Sequence, residues 1–191
     1  MKRLLLFFIG ALVISFNSCC LANELSQQAT AFYSDNNFNK TMDLLLQINE
    51  KERSAQDWLL LGNLFDEKGE KNNAIFMYQK AINTDEKYYK AHYNLGNIYF
   101  SEERYGMAAE CYKQALKYQK ENPYLYYYLA CAYIKMGNLK KAKSELIKAV
   151  TINKNIPEIH YNLAYVYNRL GKTKIAQSYL DNYNNLAESI N

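Results

Sequence analysis

The sequence predicts an all-α solenoid in which one helical hairpin is repeated head to tail. Three observations predict it. The first is a fixed period. Leu61, Leu95, Leu129 and Leu163 recur every 34 residues, and so do Phe65, Tyr99, Tyr133 and Tyr167. Ala74, Ala108, Ala142 and Ala176 follow the same spacing. A period in this range marks stacked supersecondary units. The second is the scarcity of breakers. The 191 residues include 7 Gly and 2 Pro, which favours long helices and tight turns over a strand-rich fold. The third is that each period holds two apolar stretches of helical spacing separated by a turn. A hydrophobic content of 49% supplies enough apolar surface to bury a core and excludes wholesale disorder.

Residues 1–22 read as an export signal. Lys2 and Arg3 precede an apolar run from Leu4 to Phe16, a basic start and apolar centre too short for a comfortable membrane span. The expected location is the cell envelope, periplasmic or membrane-anchored. Three outcomes stay open: cleavage after Ala22, lipidation, and an uncleaved anchor. Ser18-Cys19-Cys20 resembles a bacterial lipoprotein box, in which Cys19 would become the acylated first residue and tie the chain to a membrane surface.

Residues 23–54 read as a degenerate copy, with helices over 24–34 and 38–50. Phe32, Thr41, Leu45 and Ile48 take the places of Phe65, Ala74, Tyr78 and Ala81, and Ser34–Asn37 supplies the turn. Terminal repeats are atypical because one face lacks a neighbour. Four clean copies follow at 55–88, 89–122, 123–156 and 157–191. Gly69, Gly137 and Gly171 share one turn position, where a left-handed residue ends the first helix. Glu103 stands there in the second copy, which predicts a different route, through Gly106. Pro123 and Pro157 fit the first turn of a helix. Small residues at 62, 96, 130 and 164 face the alanines at 74, 108, 142 and 176, so the paired helices can approach closely. Ala81, Ala115 and Ala149 leave room for the next unit. Tyr183 replaces them in the fourth copy, which predicts that the array stops there.

These residues resemble the tetratricopeptide repeat, whose pattern is Trp-x2-Leu-Gly-x2-Tyr followed by Ala-x3-Phe-x2-Ala. The first clean copy reads Trp58, Leu61, Gly62, Phe65, Ala74, Tyr78, Ala81. Later copies put His92, Tyr126 and His160 in the Trp slot, and Tyr112, Leu146 and Leu180 in the Phe slot. The match covers 55–185 well and the degenerate copy weakly. Glu86, Lys120 and Lys154 stand where the family has Pro. The resemblance implies a right-handed superhelix of antiparallel helix pairs, with a concave groove lined by the first helix of each pair. Some relatives hold a terminal carboxylate with a clamp of two Lys, one Arg and two Asn. Here those places are held largely by Tyr, with Leu59 and Glu158 among them, so no such clamp is expected.

Enzyme chemistry finds no foothold. His92 and His160 are the only histidines, and both occupy a structural ring slot. No metal-ligand cluster, nucleophile triad or phosphate-binding loop accompanies them, so no catalytic residue, metal or cofactor is assigned. A net charge of +4, without a basic cluster, argues against nucleic acid. Cys111 and Cys131 read as small, partly buried thiols.

The family's groove positions select Tyr93, Asn94, Asn97, Tyr124, Tyr127, Tyr128, Tyr161, Asn162, Tyr165 and Asn168. Tyr gives large contact area with few rotors, and Asn pairs with peptide backbone. A second reading packs some of these rings between helices. The expected function is a non-enzymatic protein–protein interaction scaffold or adaptor of the cell envelope, holding a peptide or partner helix. The alternative is a structural assembly subunit acting through uncovered repeat ends, with self-association.

Overall fold

The computed structural model describes residues 19–189. The expected signal run, Leu4 to Phe16, lies outside them. Among the described residues every regular element is a helix, and no helix is long and apolar enough to cross a membrane. The chain divides into two compact units at Glu86/Lys87.

The first unit holds two hairpins. Helix α1 covers residues 19–34 and α2 covers Phe38–Gln47. A short 3-10 turn at Glu50–Glu52 leads to α3 (Ala55–Glu67) and α4 (Lys71–Thr84). Thus α2 is shorter than the sequence suggests. Ile48 is extended, and Asn49 starts the 3-10 turn by accepting the Lys51 N–H at 3.0 Å. Helix α3 begins with a capping box. Ser54 Oγ accepts from the Asp57 N–H, and Asp57 Oδ2 accepts from the Ser54 N–H at 2.8 Å. Ser26 of α1 donates to the other oxygen of Asp57. These bonds account for a carboxylate that is only 1% exposed, because a buried charge is tolerated where its oxygens are satisfied.

The second unit holds three hairpins: α5 (Tyr89–Ser101) with α6 (Tyr105–Tyr118), α7 (Pro123–Lys135) with α8 (Leu139–Ile152), and α9 (Pro157–Arg169) with α10 (Thr173–Glu188). Within this unit α6, α7, α8, α9 and α10 each pack on the helix before them. Pro123 and Pro157 open α7 and α9, where no intrahelical donor is lost.

One turn joins every pair. A left-handed residue donates to the carbonyl three back, and the next residue donates to the carbonyl five back, the pattern that satisfies a helix C-terminus. Gly69, Gly137 and Gly171 have φ of 75–76°. Asn36, with φ 57°, does the same after α1. The expectation of a detour at Glu103 is corrected here. Glu103 adopts φ 60°, bonds to Phe100 O, and Arg104 bonds to Tyr99 O at 2.8 Å. Gly106 is simply the second residue of α6. The turn is therefore set by the packing of its two helices, which holds a non-glycine residue where a left-handed backbone costs about 1 kcal/mol.

Inside each hairpin the close approach has a specific partner. A Cβ on Gly62 would lie 2.4 Å from the Tyr78 ring, and one on Gly96 would lie 2.7 Å from the Tyr112 ring. The two glycines exist because tyrosine fills the Phe slot opposite. Where that slot holds Leu146 or Leu180, the facing residue is Ala130 or Ala164. The first hairpin obeys the same rule with Ala29 and Leu45, both fully buried. Ala74, Ala108 and Ala142, each fully buried, keep the second helices close.

Candidate partner-binding groove

The tyrosine hydroxyls in the Phe slot decide what the first helices present. Tyr78 and Tyr112 are 1% exposed, and each hydroxyl donates to an amide oxygen 15 residues earlier, Asn63 Oδ1 and Asn97 Oδ1, both at 2.9 Å. A buried phenol needs such an acceptor. Asn97, one of the selected groove residues, thus has one acceptor site of its oxygen committed to Tyr112, while its amide N–H groups can face a ligand. Leucine in the slot makes no such demand, and the corresponding residues are Cys131 and Tyr165.

In the second unit the inner faces of α5, α7 and α9 form a cleft of about 490 Å³, lined by Asn97, Phe100, Tyr112, Tyr127, Tyr128, Cys131, Ile134, Lys135 and Asn162. Tyr93 stands behind it, its ring 5.2 Å from Tyr128 and 6.2 Å from Tyr112. Tyr112 and Tyr128 stack at 5.9 Å, and Tyr127 meets Tyr128 edge-on at 5.3 Å. The packing of rings between helices, the more modest reading of these positions, therefore applies to Tyr93 and in part to Tyr128. Asn162 Nδ2 reaches Cys131 Sγ at 3.3 Å.

The floor of the cleft is half-buried. Burial pushes the Tyr127 phenol up to about 12 and the Cys131 thiol up to about 11. A hydrogen bond with Tyr93, together with burial, raises Tyr128, and burial raises Tyr112. These groups stay protonated at neutral pH. Cys111, also raised to about 11 by burial, is likewise a free, half-buried thiol.

A second cleft of about 320 Å³ lies between α9 and α10, with Tyr161, Tyr165 and Asn168 on its wall. Tyr161 is 53% exposed and packs against Tyr183 at 5.4 Å. Arg169 donates to the Tyr165 hydroxyl at 2.9 Å. Tyr124 is 52% exposed at the start of α7, and Asn94 is half-buried on α5. The structure thus brings Asn97, Tyr127, Tyr128 and Asn162 to one cleft and Tyr161, Tyr165 and Asn168 to another. Tyr112, which its repeat position assigns to the core, also lines the first cleft. The 15-residue spacing of Asn97 and Tyr112, repeated in Asn63 and Tyr78, is the signal that could have linked them.

The histidines lie in separate hairpins. His92 stacks on Tyr118 at 6.3 Å, and His160 meets Tyr179 at 5.9 Å with Nε2 2.7 Å from Lys154 O. In the other copies the slot ring carries a cation: Lys80 lies 5.6 Å from Trp58, and Lys148 lies 5.5 Å from Tyr126. The indole and phenol faces attract that charge. Among the described residues no group of His, Cys, Asp and Glu could hold a metal.

The model of the tetratricopeptide repeat protein 21 C-terminal ARM domain matches residues 13–165, and a tetratricopeptide-repeat model matches 157–189. The chain belongs to the tetratricopeptide-repeat family. Solved tetratricopeptide-like structures share the fold of this array. MamA from Desulfovibrio magneticus RS-1 superposes with a TM-score of 0.78 at 17% identity, covering 88% of this chain and 96% of that one. A further MamA crystal structure gives 0.76 at 20% identity, over 84% and 95%. PilF from Pseudomonas aeruginosa gives 0.76 at 20% identity, over 88% and 78%. No curated protein sequence matches significantly.

Proposed function

We propose that this tetratricopeptide array is a non-enzymatic adaptor of the cell envelope that holds a partner segment along α5, α7 and α9. The observation that carries the reading is the apolar, phenol-walled cleft on the first helices of the second unit. Repeat proteins of this kind use extended surfaces for binding, and rigid aromatic walls give contact area at low entropic cost. The residues that would do chemistry are instead engaged in packing: both histidines sit against tyrosines, and the thiols are kept protonated by burial.

Placement in the envelope rests on the basic and apolar start of the sequence and on Cys19, which is exposed on α1. Acylation there would put the array at a membrane surface. Mass spectrometry of the mature N-terminus checks this: an acylated Cys19 supports it, and a retained Met1 contradicts it.

The groove is tested by replacing Tyr127 and Tyr161 with Ala in the full chain and capturing partners from envelope extracts. The expected result is loss of the captured proteins with an unchanged helical circular dichroism spectrum. Retention of the same proteins would contradict the groove reading.

A further inference from the structure

The chemistry of the α5–α7–α9 cleft narrows what can occupy it, provided that the groove reading above holds. Its residues on α7 run from Tyr127 to Lys135, so the trough follows that helix for roughly 12 Å, with Asn97 on the α5 wall and Asn162 on the α9 wall. The floor is made by Cys131, Ile134 and the faces of Tyr127 and Tyr128, and no carboxylate lines it. A cationic side chain placed there would lose its hydration without a partner, whereas an apolar one gains by burial.

The end of the trough is different. Lys135 lines it, and Arg169 occupies the same repeat position on α9, 34 residues later. Both are exposed, and Arg169 is held over Tyr165 by its bond to that hydroxyl. Cys131 and Lys135 are one helical turn apart, roughly 6 Å. In an extended segment, side chains two residues apart are separated by about 6.6 Å and point the same way. The spacing of Cys131 and Lys135 therefore matches an i, i+2 pair.

We infer that the cleft takes one bulky apolar side chain of an extended protein segment, and that an acidic residue two positions away meets Lys135. Cys131 and Ile134 set the first preference and Lys135 sets the second. The fourth copy carries Tyr165 and Asn168 at the positions of Cys131 and Ile134, a larger ring and a polar amide in place of the apolar floor.

A random heptapeptide display library selected on the immobilised full chain tests this. The expected enrichment is an apolar residue and an acidic one separated by a single position. The best peptide, synthesised with blocked ends, should bind Cys131→Tyr/Ile134→Asn at least roughly tenfold more weakly. Those substitutions copy residues that the fourth hairpin already accommodates, and circular dichroism checks the fold. Lys135→Glu should replace the acidic preference with a basic one, and this readout stands even if the first variant misfolds. Enrichment that Tyr127→Ala/Tyr161→Ala abolishes, but that lacks the apolar anchor or survives both cleft variants, overturns the inference and leaves the groove reading intact. Selection of no peptide that depends on Tyr127 and Tyr161 overturns both.

Discussion

The α5–α6 and α7–α8 hairpins share length, turn and packing, yet their interiors are built differently. The first uses Gly96, Tyr112 and Asn97; the second uses Ala130, Leu146 and Cys131. The α3–α4 hairpin follows the first pattern with Gly62, Tyr78 and Asn63, and α9–α10 follows the second with Ala164, Leu180 and Tyr165. The contrast shows that three positions change together. Tyrosine in the slot requires a missing Cβ opposite and an acceptor for its hydroxyl, so it consumes an asparagine on the groove face. Leucine requires neither, and the groove position is then open to cysteine or to a second tyrosine. Variation of the surface is thus coupled to the core.

The largest effects should come from giving the tyrosine hairpins a Cβ. Gly62→Ala drives a methyl into the Tyr78 ring and should destabilise by about 2–3 kcal/mol, the usual cost of overpacking. Denaturant unfolding measures it. Ala130→Gly, the reverse change in a leucine hairpin, should cost only about 1 kcal/mol of helix propensity. Equal losses at the two sites would break the comparison.

Smaller effects should follow the hydroxyl. Tyr112→Phe leaves Asn97 Oδ1 without its donor and should cost about 1 kcal/mol, again read by denaturant unfolding. Smaller still are the turns. Gly137→Ala should lose about 1 kcal/mol, while Glu103→Gly should gain roughly 0.5 kcal/mol, because relief of left-handed strain is partly offset by glycine's greater freedom when unfolded. A loss at Glu103→Gly would contradict the account of that turn.

Alkaline pH sharpens the contrast from another side. The folded state raises Tyr127 to about 12 and Cys131 to about 11, and raises Tyr112 further. These groups bind protons more tightly when folded, so their contribution is complete below the unfolded values of about 9 to 10 and is lost as pH rises towards 12. Thermal unfolding across pH 9–12 should show a falling midpoint, with a shallower fall in Tyr112→Phe.

The all-helical hairpin fold was readable because period, small residues and turn signals all agree, and agreement across levels is what a repeated hairpin produces. The close approach at Gly62 and Gly96 was also readable. Two features were not. Glu103 hid the turn because residue type suggests backbone conformation only weakly when two packed helices impose it. Asn97 hid its role because its partner lies on the other helix of its hairpin, and a groove position looks the same whether its side chain faces a ligand or a neighbour. The distinction between Tyr93, packed among rings, and Tyr161, exposed, likewise depends on contacts between hairpins that no local pattern encodes.

The most direct test of the coupling is to rebuild one hairpin as the other. Leu146→Tyr alone should destabilise by about 2–3 kcal/mol. Combined with Ala130→Gly and Cys131→Asn, which remove the opposing Cβ and supply the acceptor, it should unfold within about 1 kcal/mol of the parent, a non-additivity expected of residues in contact. A triple variant as unstable as Leu146→Tyr alone would show that the three positions are not coupled.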